Sequence, residues 1–220
     1  MAPLKFEDWN DLEFNDALLE RLKSNDPTLT ALGLDYKKIG DEGVSRLVEA
    51  LTNNNTSLLG LNLYENNIGE ESAKELSTLL QSNTTLRELL LWTNNIGAGG
   101  AAHLASSLKS NSTLQYLNLR GNNIGHEGAN AIATFLSTGN NDSLQSLNLR
   151  YNEIGDEGEA AIEDVIKSNT TLQTFILDEN NFSDNIKEKL QQAVIEHNST
   201  CRVHRRCGGY MIPHTLISHQ

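Results

Sequence analysis

The chain has 220 residues, of which 38% are hydrophobic and 21% charged, a composition typical of a folded domain with a buried core rather than of a disordered chain. Its formal net charge of −12 is acidic, and because phosphate backbones and anionic lipids attract basic surfaces, we expect neither a nucleic-acid nor a membrane partner. No apolar stretch reaches the length of a membrane span and the first residues lack a secretory-signal pattern, so a cytoplasmic location is predicted.

Residues 1–28 are predicted to form an N-terminal helical cap. Over residues 11–24, leucines recur at roughly helical spacing: Leu12, Leu18, Leu19 and Leu22. A helix with this apolar face would cover the first open end of a stack of repeats, which otherwise exposes its core to water.

Residues 29–183 contain six copies of one segment. The copies begin at leucines 28 to 30 residues apart, namely Leu29, Leu58, Leu86, Leu114, Leu144 and Leu172. Each follows the pattern L-x-x-L-x-L-x-x-N-x-I with small departures; in the second copy its fixed positions are Leu58, Leu61, Leu63, Asn66 and Ile68. The alternation of leucines within this pattern predicts a short strand in every copy.

The second half of each copy has the spacing of a helix. After the isoleucine comes a glycine-containing turn, followed by apolar residues five, eight and twelve places beyond the isoleucine, such as Ala101, Leu104 and Leu108 in the third copy. Asp41 and Asp156 occupy positions where a helix N-cap is expected. Each copy is therefore predicted to be one strand followed by one helix.

One strand and one helix cannot bury both the leucine face and the helical stripe, whereas stacked copies bury both in a continuous core. We therefore predict an α/β fold, a right-handed leucine-rich-repeat solenoid or horseshoe with a concave parallel sheet and convex helices. The asparagine at the ninth position is predicted to bond backbone groups where the chain leaves each strand, giving a ladder of Asn66, Asn94, Asn122, Asn152 and Asn180. Lys37 replaces it in the first copy.

Residues 184–198 are predicted to form a C-terminal cap helix, and residues 199–220 a basic, disordered tail. The two cysteines of the chain, Cys201 and Cys207, both lie in this tail, so the repeats cannot depend on disulfides and a reducing compartment is expected. His197 and His204 give the tail a spacing that a zinc site can use, but a single short run offers no framework to hold an ion. We predict no metal and no other cofactor.

The repeated motif resembles the ribonuclease-inhibitor-like class of leucine-rich repeats, which includes the repeat domains of NOD-like receptors and of Ran GTPase-activating protein. The resemblance covers about residues 25–197 and rests on the strand motif and the long helical half that recur together. It implies a horseshoe that binds proteins on its concave side. The chain has no nucleotide-binding domain, no series of helical cysteines and no long acidic tail, so no member's functional residues are transferred to it.

Three columns of residues are predicted to face the concavity, numbered from the first leucine of each copy as position one. The position-seven column holds Asp35, Tyr64, Trp92, Arg120, Arg150 and Asp178. The position-eight column holds Tyr36, Glu65, Thr93, Gly121, Tyr151 and Glu179. The position-five column holds Gly33, Asn62, Leu90, Asn118, Asn148 and Ile176.

These columns contain the candidate partner-binding site. Tyr, Trp and Arg dominate the energetics of protein interfaces, and here Tyr64, Trp92, Arg120, Arg150 and Tyr151 are predicted to form one cluster. The acids Asp35, Glu65 and Asp178 flank it and suggest a partner of mixed charge. The alternative is that aromatic residues are simply good strand formers, but the concentration of four aromatic residues on exposed columns favours a binding surface.

Three other motifs have a simpler explanation in the repeat than in chemistry. Residues 97–102 match the G-x-G-x-x-A form of a dinucleotide-binding turn, yet the equivalent turns differ and the expected acid about twenty residues later is missing. The N-x-S/T sequences fall mostly at one repeat turn, where hydrogen bonding is favoured over glycosylation. His103 and His126 have no nucleophile beside them and are expected to be solvated.

Together these observations predict a non-catalytic scaffold that binds another protein on its concave face. The alternative is a regulator of a partner enzyme, such as an activator of a small GTPase, which the resemblance to the Ran regulator keeps open. The two differ in whether the partner's turnover changes, and the sequence names no residue that would order a nucleotide site.

Overall fold

The computed structural model describes residues 10–52, 56–138 and 141–196. The remaining parts of the predicted caps and the entire tail lie outside the described residues. The same holds for the possible zinc ligands His197, Cys201, His204 and Cys207 and for the glycosylation motifs at Asn54, Asn55 and Asn198.

Short parallel strands form one sheet in which each strand pairs with the next along the chain. The strands are β1 (Asn10–Asp11), β2 (Ala31–Gly33), β3 (Gly60–Asn62), β4 (Glu88–Leu90), β5 (Tyr116–Asn118), β6 (Ser146–Asn148) and β7 (Thr174–Ile176). Equivalent positions of neighbouring copies are in register, so that Leu61 lies between Leu32 and Leu89. Every column read from the sequence is therefore a physical row of side chains across the sheet.

A layer of helices runs beside the sheet, each helix contacting the next. The helices are α1 (Asp16–Lys23), α2 (Gly40–Thr52), α3 (Glu70–Ser82), α4 (Gly97–Ser107), α5 (Gly125–Ser137), α6 (Glu159–Ser168) and α7 (Asp184–Glu196). The strand leucines and the helical apolar stripes meet in one continuous core, in which Leu61, Leu89 and Leu104 are almost fully buried. The predicted α/β leucine-rich-repeat solenoid is confirmed.

The N-terminal helix is shorter than the spacing of leucines predicted. Residues 10–11 form a strand that pairs with β2, and α1 begins only at Asp16. The Asn15 side chain accepts a hydrogen bond from the Leu18 backbone N–H at 3.0 Å and so caps the helix. Pairing with the open edge of β2 satisfies backbone groups there, and this tertiary demand overrides the helical pattern of residues 11–15.

The asparagine ladder at position nine is confirmed. The buried side-chain amide of Asn122 donates to the backbone carbonyls of Leu91 at 2.9 Å and Leu119 at 3.0 Å. The Asn122 backbone N–H in turn donates to the Asn152 side-chain oxygen at 2.8 Å. Asn66 and Asn152 are bonded in the same way. These asparagines join their own strand ends to both neighbouring repeats, where the chain turns and leaves backbone groups without sheet partners.

A second asparagine ladder runs along the turn that precedes each strand. The Asn111 side-chain oxygen accepts from the backbone N–H of Thr113 and Leu114, while its amide donates to the carbonyls of Leu80 and Asn83 in the previous repeat. Asn141 does the same one repeat later and, like Asn111, is buried. These amides are engaged and shielded, which supports the hydrogen-bonding interpretation of the N-x-S/T turns over glycosylation.

The sequence pattern predicted that Asp41 and Asp156 cap the helices that they begin, and this prediction was wrong. Asp41 lies in the first turn of α2, and its carboxylate accepts hydrogen bonds from the Gly69 backbone N–H at 3.1 Å and from the Ser72 hydroxyl, both at the start of α3. Asp156 likewise accepts from the Ser183 backbone N–H at 2.7 Å, just before α7. Each acid satisfies orphan donors of the following helix, because stacking brings consecutive helix starts side by side.

The glycine-rich sequence of residues 97–102 begins α4, where the helices pack closely. A Cβ atom at Gly100 would lie 2.9 Å from the Ala73 Cβ on α3, and one at Gly99 would collide with the Glu70 carboxylate. The absence of side chains at these positions follows from the close approach of α3 and α4, which favours the repeat interpretation over a nucleotide-binding turn.

Candidate functional site

The candidate site is a ladder of side chains that crosses the carboxyl ends of the strands. We call it the aromatic ladder, and it consists of Tyr36, Tyr64, Trp92, Arg120, Tyr151 and Arg150. It begins with Tyr36 and Tyr64, whose ring centroids lie 4.6 Å apart in an edge-to-face arrangement. Trp92 then stacks on Tyr64, with centroids 3.5 Å apart and ring planes 5° apart. Neighbouring strands place these rings in consecutive repeats, which is why they meet.

The ladder continues through two arginines. The guanidinium carbon of Arg120 lies 5.5 Å from the centroid of Trp92 and 5.0 Å from that of Tyr151, so Arg120 bridges two aromatic rings. Arg150 lies over the Tyr151 ring at 4.8 Å and pairs with Glu179 at 3.9 Å. The five residues that the sequence singled out as a cluster are therefore brought together in one connected set of contacts.

Hydrogen bonds fix the first end of the ladder. The Tyr36 hydroxyl donates to the Tyr64 hydroxyl at 2.9 Å. Burial raises the pKa of Tyr64, and the negative charge of Glu65 acts in the same direction, so Tyr64 stays a neutral phenol across the physiological range. This end of the ladder is acidic and rich in hydroxyl groups.

The flanking acids lie at different places. The Asp35 carboxylate accepts a hydrogen bond from the Asn62 side chain at 3.1 Å, within the first two repeats. Glu65 is exposed beside Tyr64, whereas Asp178 is half-buried in the last repeat, at the far end of the sheet. Asp35 and Glu65 thus belong to the first end of the ladder, and Asp178 is separated from them by the arginines.

The position-five column is not the exposed surface that the sequence predicted. Leu90, Asn118, Asn148 and Ile176 are all at least nine-tenths buried. The side-chain oxygens of Asn118 and Asn148 accept hydrogen bonds from the backbone N–H groups of Arg120 and Arg150, at 3.1 and 3.0 Å. These asparagines fold back on the strand ends and support the arginines above them, so the accessible surface starts at position seven.

The position-eight column has a left-handed backbone in all six repeats. Tyr36, Thr93 and Tyr151 have φ values of 59°, 53° and 57°, and Gly121 has 63°. Only glycine adopts this region without a steric penalty, and a β-branched residue is the least suited to it. Because all six repeats share this conformation, it belongs to the turn that follows each strand, and every residue other than glycine is strained there.

Two concave-face residues were missed by the sequence analysis. Glu88 and Tyr116 occupy position three of neighbouring strands and are almost fully buried. Burial raises the pKa of Tyr116 to about 12, and the negative charge of Glu88 acts in the same direction. The available signal was the alternation of the strand, since position three points to the same side as positions five and seven.

Other chemical features are limited within the part of the chain that the structure describes. Its residues contain no group of three or more His, Cys, Asp or Glu side chains arranged to hold a metal ion. Across residues 10–52, 56–138 and 141–196, no helix is both long and apolar enough to cross a membrane. His126 is exposed, and His103 on α4 is half-buried rather than fully solvated.

Comparison with known families agrees with this architecture. Residues 10–137 match the TMOD/LMOD leucine-rich domain, and residues 140–162 match a leucine-rich repeat. The chain belongs to the TMOD/LMOD leucine-rich domain family. The leucine-rich-repeat class drawn from the motif is confirmed by this match, while the finer resemblance to ribonuclease inhibitor remains a prediction from the motif alone.

Two solved structures share this fold. The structure titled leiomodin-1 actin-binding site 2 has a TM-score of 0.61 and 22% sequence identity, over 83% of this chain and 95% of that one. The tropomodulin C-terminal domain from Caenorhabditis elegans has a TM-score of 0.51 and 16% identity, over 83% and 92% of the two chains. A search of curated protein sequences found no match to this chain.

Proposed function

We propose that this TMOD/LMOD-type domain is a non-catalytic protein-binding module that holds its partner on the concave face, with the aromatic ladder as the contact surface. The observation that carries the proposal is the unbroken series of contacts from Tyr36 to Arg150. Tyr36 and Tyr151 remain 57% and 43% exposed. Because removing large aromatic side chains from water is favourable, a partner that covers these two rings would be stabilised by their burial.

The ladder has the physical properties of an interface that is organised before binding. Each ring is held by its neighbours, so a partner that covers the ladder pays little additional side-chain entropy. Tyr, Trp and Arg are also the side chains that contribute most to binding free energy when desolvated. The buried asparagines beneath Arg120 and Arg150 fix the strand ends from which those arginines project.

The candidate partner that we propose is actin. The support is the family assignment together with the leiomodin-1 structure, which its title describes as an actin-binding site. In this proposal the ladder supplies the hot-spot residues, and the flanking Asp35 and Glu65 influence register and association rate through their charge.

The test is co-sedimentation with filamentous actin and retention of monomeric actin on immobilised protein. The variant Trp92→Ala/Arg120→Glu removes the centre of the ladder. The control Ile195→Ala/Lys109→Glu makes the same change of charge at two exposed residues outside the ladder. We expect wild type and control to bind alike and the ladder variant to lose at least about 30-fold in affinity, because hot-spot truncations each cost about 2 kcal/mol or more.

Two outcomes would separate the parts of this proposal. If the wild type binds no actin in either form, the partner is wrong. If the wild type binds actin and the folded ladder variant binds equally well, the concave face is not the contact surface. Circular dichroism and thermal unfolding of the variants establish that they are folded.

A further inference from the structure

Arg120 differs from the other arginine of the aromatic ladder because its guanidinium contacts two aromatic rings and no acidic side chain of the described residues. Its guanidinium lies near the faces of Trp92 and Tyr151, and a guanidinium that contacts rings in this way keeps its N–H donors directed outward within its own plane. Arg120 is half-buried, and its backbone is fixed by the Asn118 side chain. The donors are therefore presented at a defined place on the concave face.

No carboxylate of the described residues lies within ion-pair distance of Arg120. By contrast, Arg150 pairs with Glu179 at 3.9 Å, and on the helices Arg46 pairs with Asp16 and Lys167 with Glu163. An unpaired, partly desolvated guanidinium in an otherwise acidic protein is an unused site for an anion. The bidentate match of guanidinium with carboxylate makes an acidic side chain the fitting ligand.

We propose that Arg120 is the receptor for an Asp or Glu side chain of the protein partner, bound at the edge of the Trp92 and Tyr151 rings. This inference rests on the proposed function, since it names the chemistry of the partner at the same surface. The site thereby selects a partner segment that carries an exposed acid.

The other end of the ladder specifies a second feature of that segment. Glu65 and Asp35 are acids on the first two repeats, whereas Arg120 lies on the fourth. Adjacent strands are about 4.8 Å apart, so Glu65 and Arg120 are separated by roughly 10 Å across the sheet. Three residues of a polyproline II segment span about 9 Å and complete one turn, which places side chains i and i+3 on the same side of the segment. The geometry fits a polyproline II segment of the form Lys-x-x-Glu, with its lysine at Glu65 and its glutamate at Arg120.

Trp92 provides the readout. The chain has two tryptophans, Trp9 and Trp92, so in a Trp9→Phe background the fluorescence reports on Trp92 alone. The probes are the capped peptides Lys-Gly-Gly-Glu and Lys-Gly-Gly-Gln, titrated at low salt. We expect a saturable change in Trp92 emission with the first peptide and an affinity at least about tenfold lower with the second, because a charge-assisted bidentate pair is replaced by a neutral bond.

Variants assign the effect to Arg120. Arg120→Gln should lower the affinity for Lys-Gly-Gly-Glu by about tenfold and abolish the difference between the two peptides. Arg46→Gln is the matched control, since Arg46 also lies over an aromatic ring, 5.7 Å from the centroid of Phe14, but on α2. Equal titration of the wild type by both peptides would overturn the proposal even if Arg120→Gln fails to fold.

The same proteins distinguish this inference from the proposed function. If the peptide response depends on Arg120 while actin is not bound, the carboxylate site stands and actin is the wrong partner. If actin binds the wild type and Arg120→Gln equally and the peptides show no difference, the carboxylate site is wrong while an actin-binding domain remains.

Discussion

Trp92 lies flat against Tyr64 although the two residues are 28 positions apart, with ring centroids separated by 3.5 Å and planes inclined by 5°. This contact joins the second and third repeats outside the leucine core. A double-mutant cycle with Tyr64→Ala and Trp92→Ala should give a coupling free energy of about 0.5–1.5 kcal/mol in urea unfolding. As a control, the cycle that pairs Tyr64→Ala with the distant Ile195→Ala should be additive within about 0.5 kcal/mol. If the coupling free energy between Tyr64 and Trp92 is no larger than in this control, the stacked rings add nothing to stability.

Thr93 is a β-branched residue with φ of 53°, whereas the equivalent residue of the next repeat is Gly121. Replacing Thr93 by glycine removes the clash of Cβ in the left-handed region and should stabilise the protein by about 1 kcal/mol. The measurement is the urea midpoint at constant m-value.

The reverse change supplies the control for that prediction. A Cβ atom at Gly121 would meet nothing closer than 3.7 Å, so Gly121→Ala tests the backbone alone and should destabilise the protein by about 1 kcal/mol. If both substitutions shift the midpoint in the same direction, backbone strain at position eight is not the cause.

Asn122→Ala removes a side-chain amide that donates to three carbonyls, those of Leu91, Leu119 and Arg120. Buried carbonyls without donors are costly, so the expected loss is about 3 kcal/mol or more of unfolding free energy, measured by urea denaturation. Asn130→Ala changes an exposed asparagine of α5 and should stay within about 0.5 kcal/mol of wild type. Similar losses of unfolding free energy for the two variants would contradict the structural importance of the asparagine ladder.

Asp26 should give the protein a component of stability that depends on pH. The Thr28 hydroxyl, the Thr28 backbone N–H and the Arg21 guanidinium all donate to its carboxylate and lower its pKa from 3.8 to about 2. The folded state therefore favours the charged form, so the contribution is present above about pH 4 and is lost as the pH falls through 2.

The measurement for Asp26 is the melting temperature of wild type and Asp26→Asn at several pH values. The melting temperature of the wild type should be higher than that of the variant at pH 5, and the two melting temperatures should converge near pH 2. Thr28→Val, which removes the hydroxyl donor, should reduce the difference. A gap between wild type and Asp26→Asn that stays constant from pH 5 to pH 2 would exclude this origin.

The residues predicted to bind a partner show which part of the candidate site the sequence determines and which part it does not. The register of the leucines placed Tyr64, Trp92 and Arg120 in one row, because alternation along a strand is a local property. The same reasoning predicted that Leu90 and Asn118 are exposed, and this was wrong. Their burial depends on the bulk of neighbouring side chains across the curved sheet, which no single repeat contains.

The sequence by itself determined the repeating unit, since the leucines, the position-nine asparagine and the helical stripe recur within one copy and each follows from its own periodicity. Only the tertiary structure decided which side chains of different copies meet. Asp41 binds the start of the next helix, residues 10–11 join the sheet, and Arg120 lies between two rings. These contacts depend on the spacing and rotation between stacked repeats, which are set by packing of the whole core and not by the pattern within any one repeat.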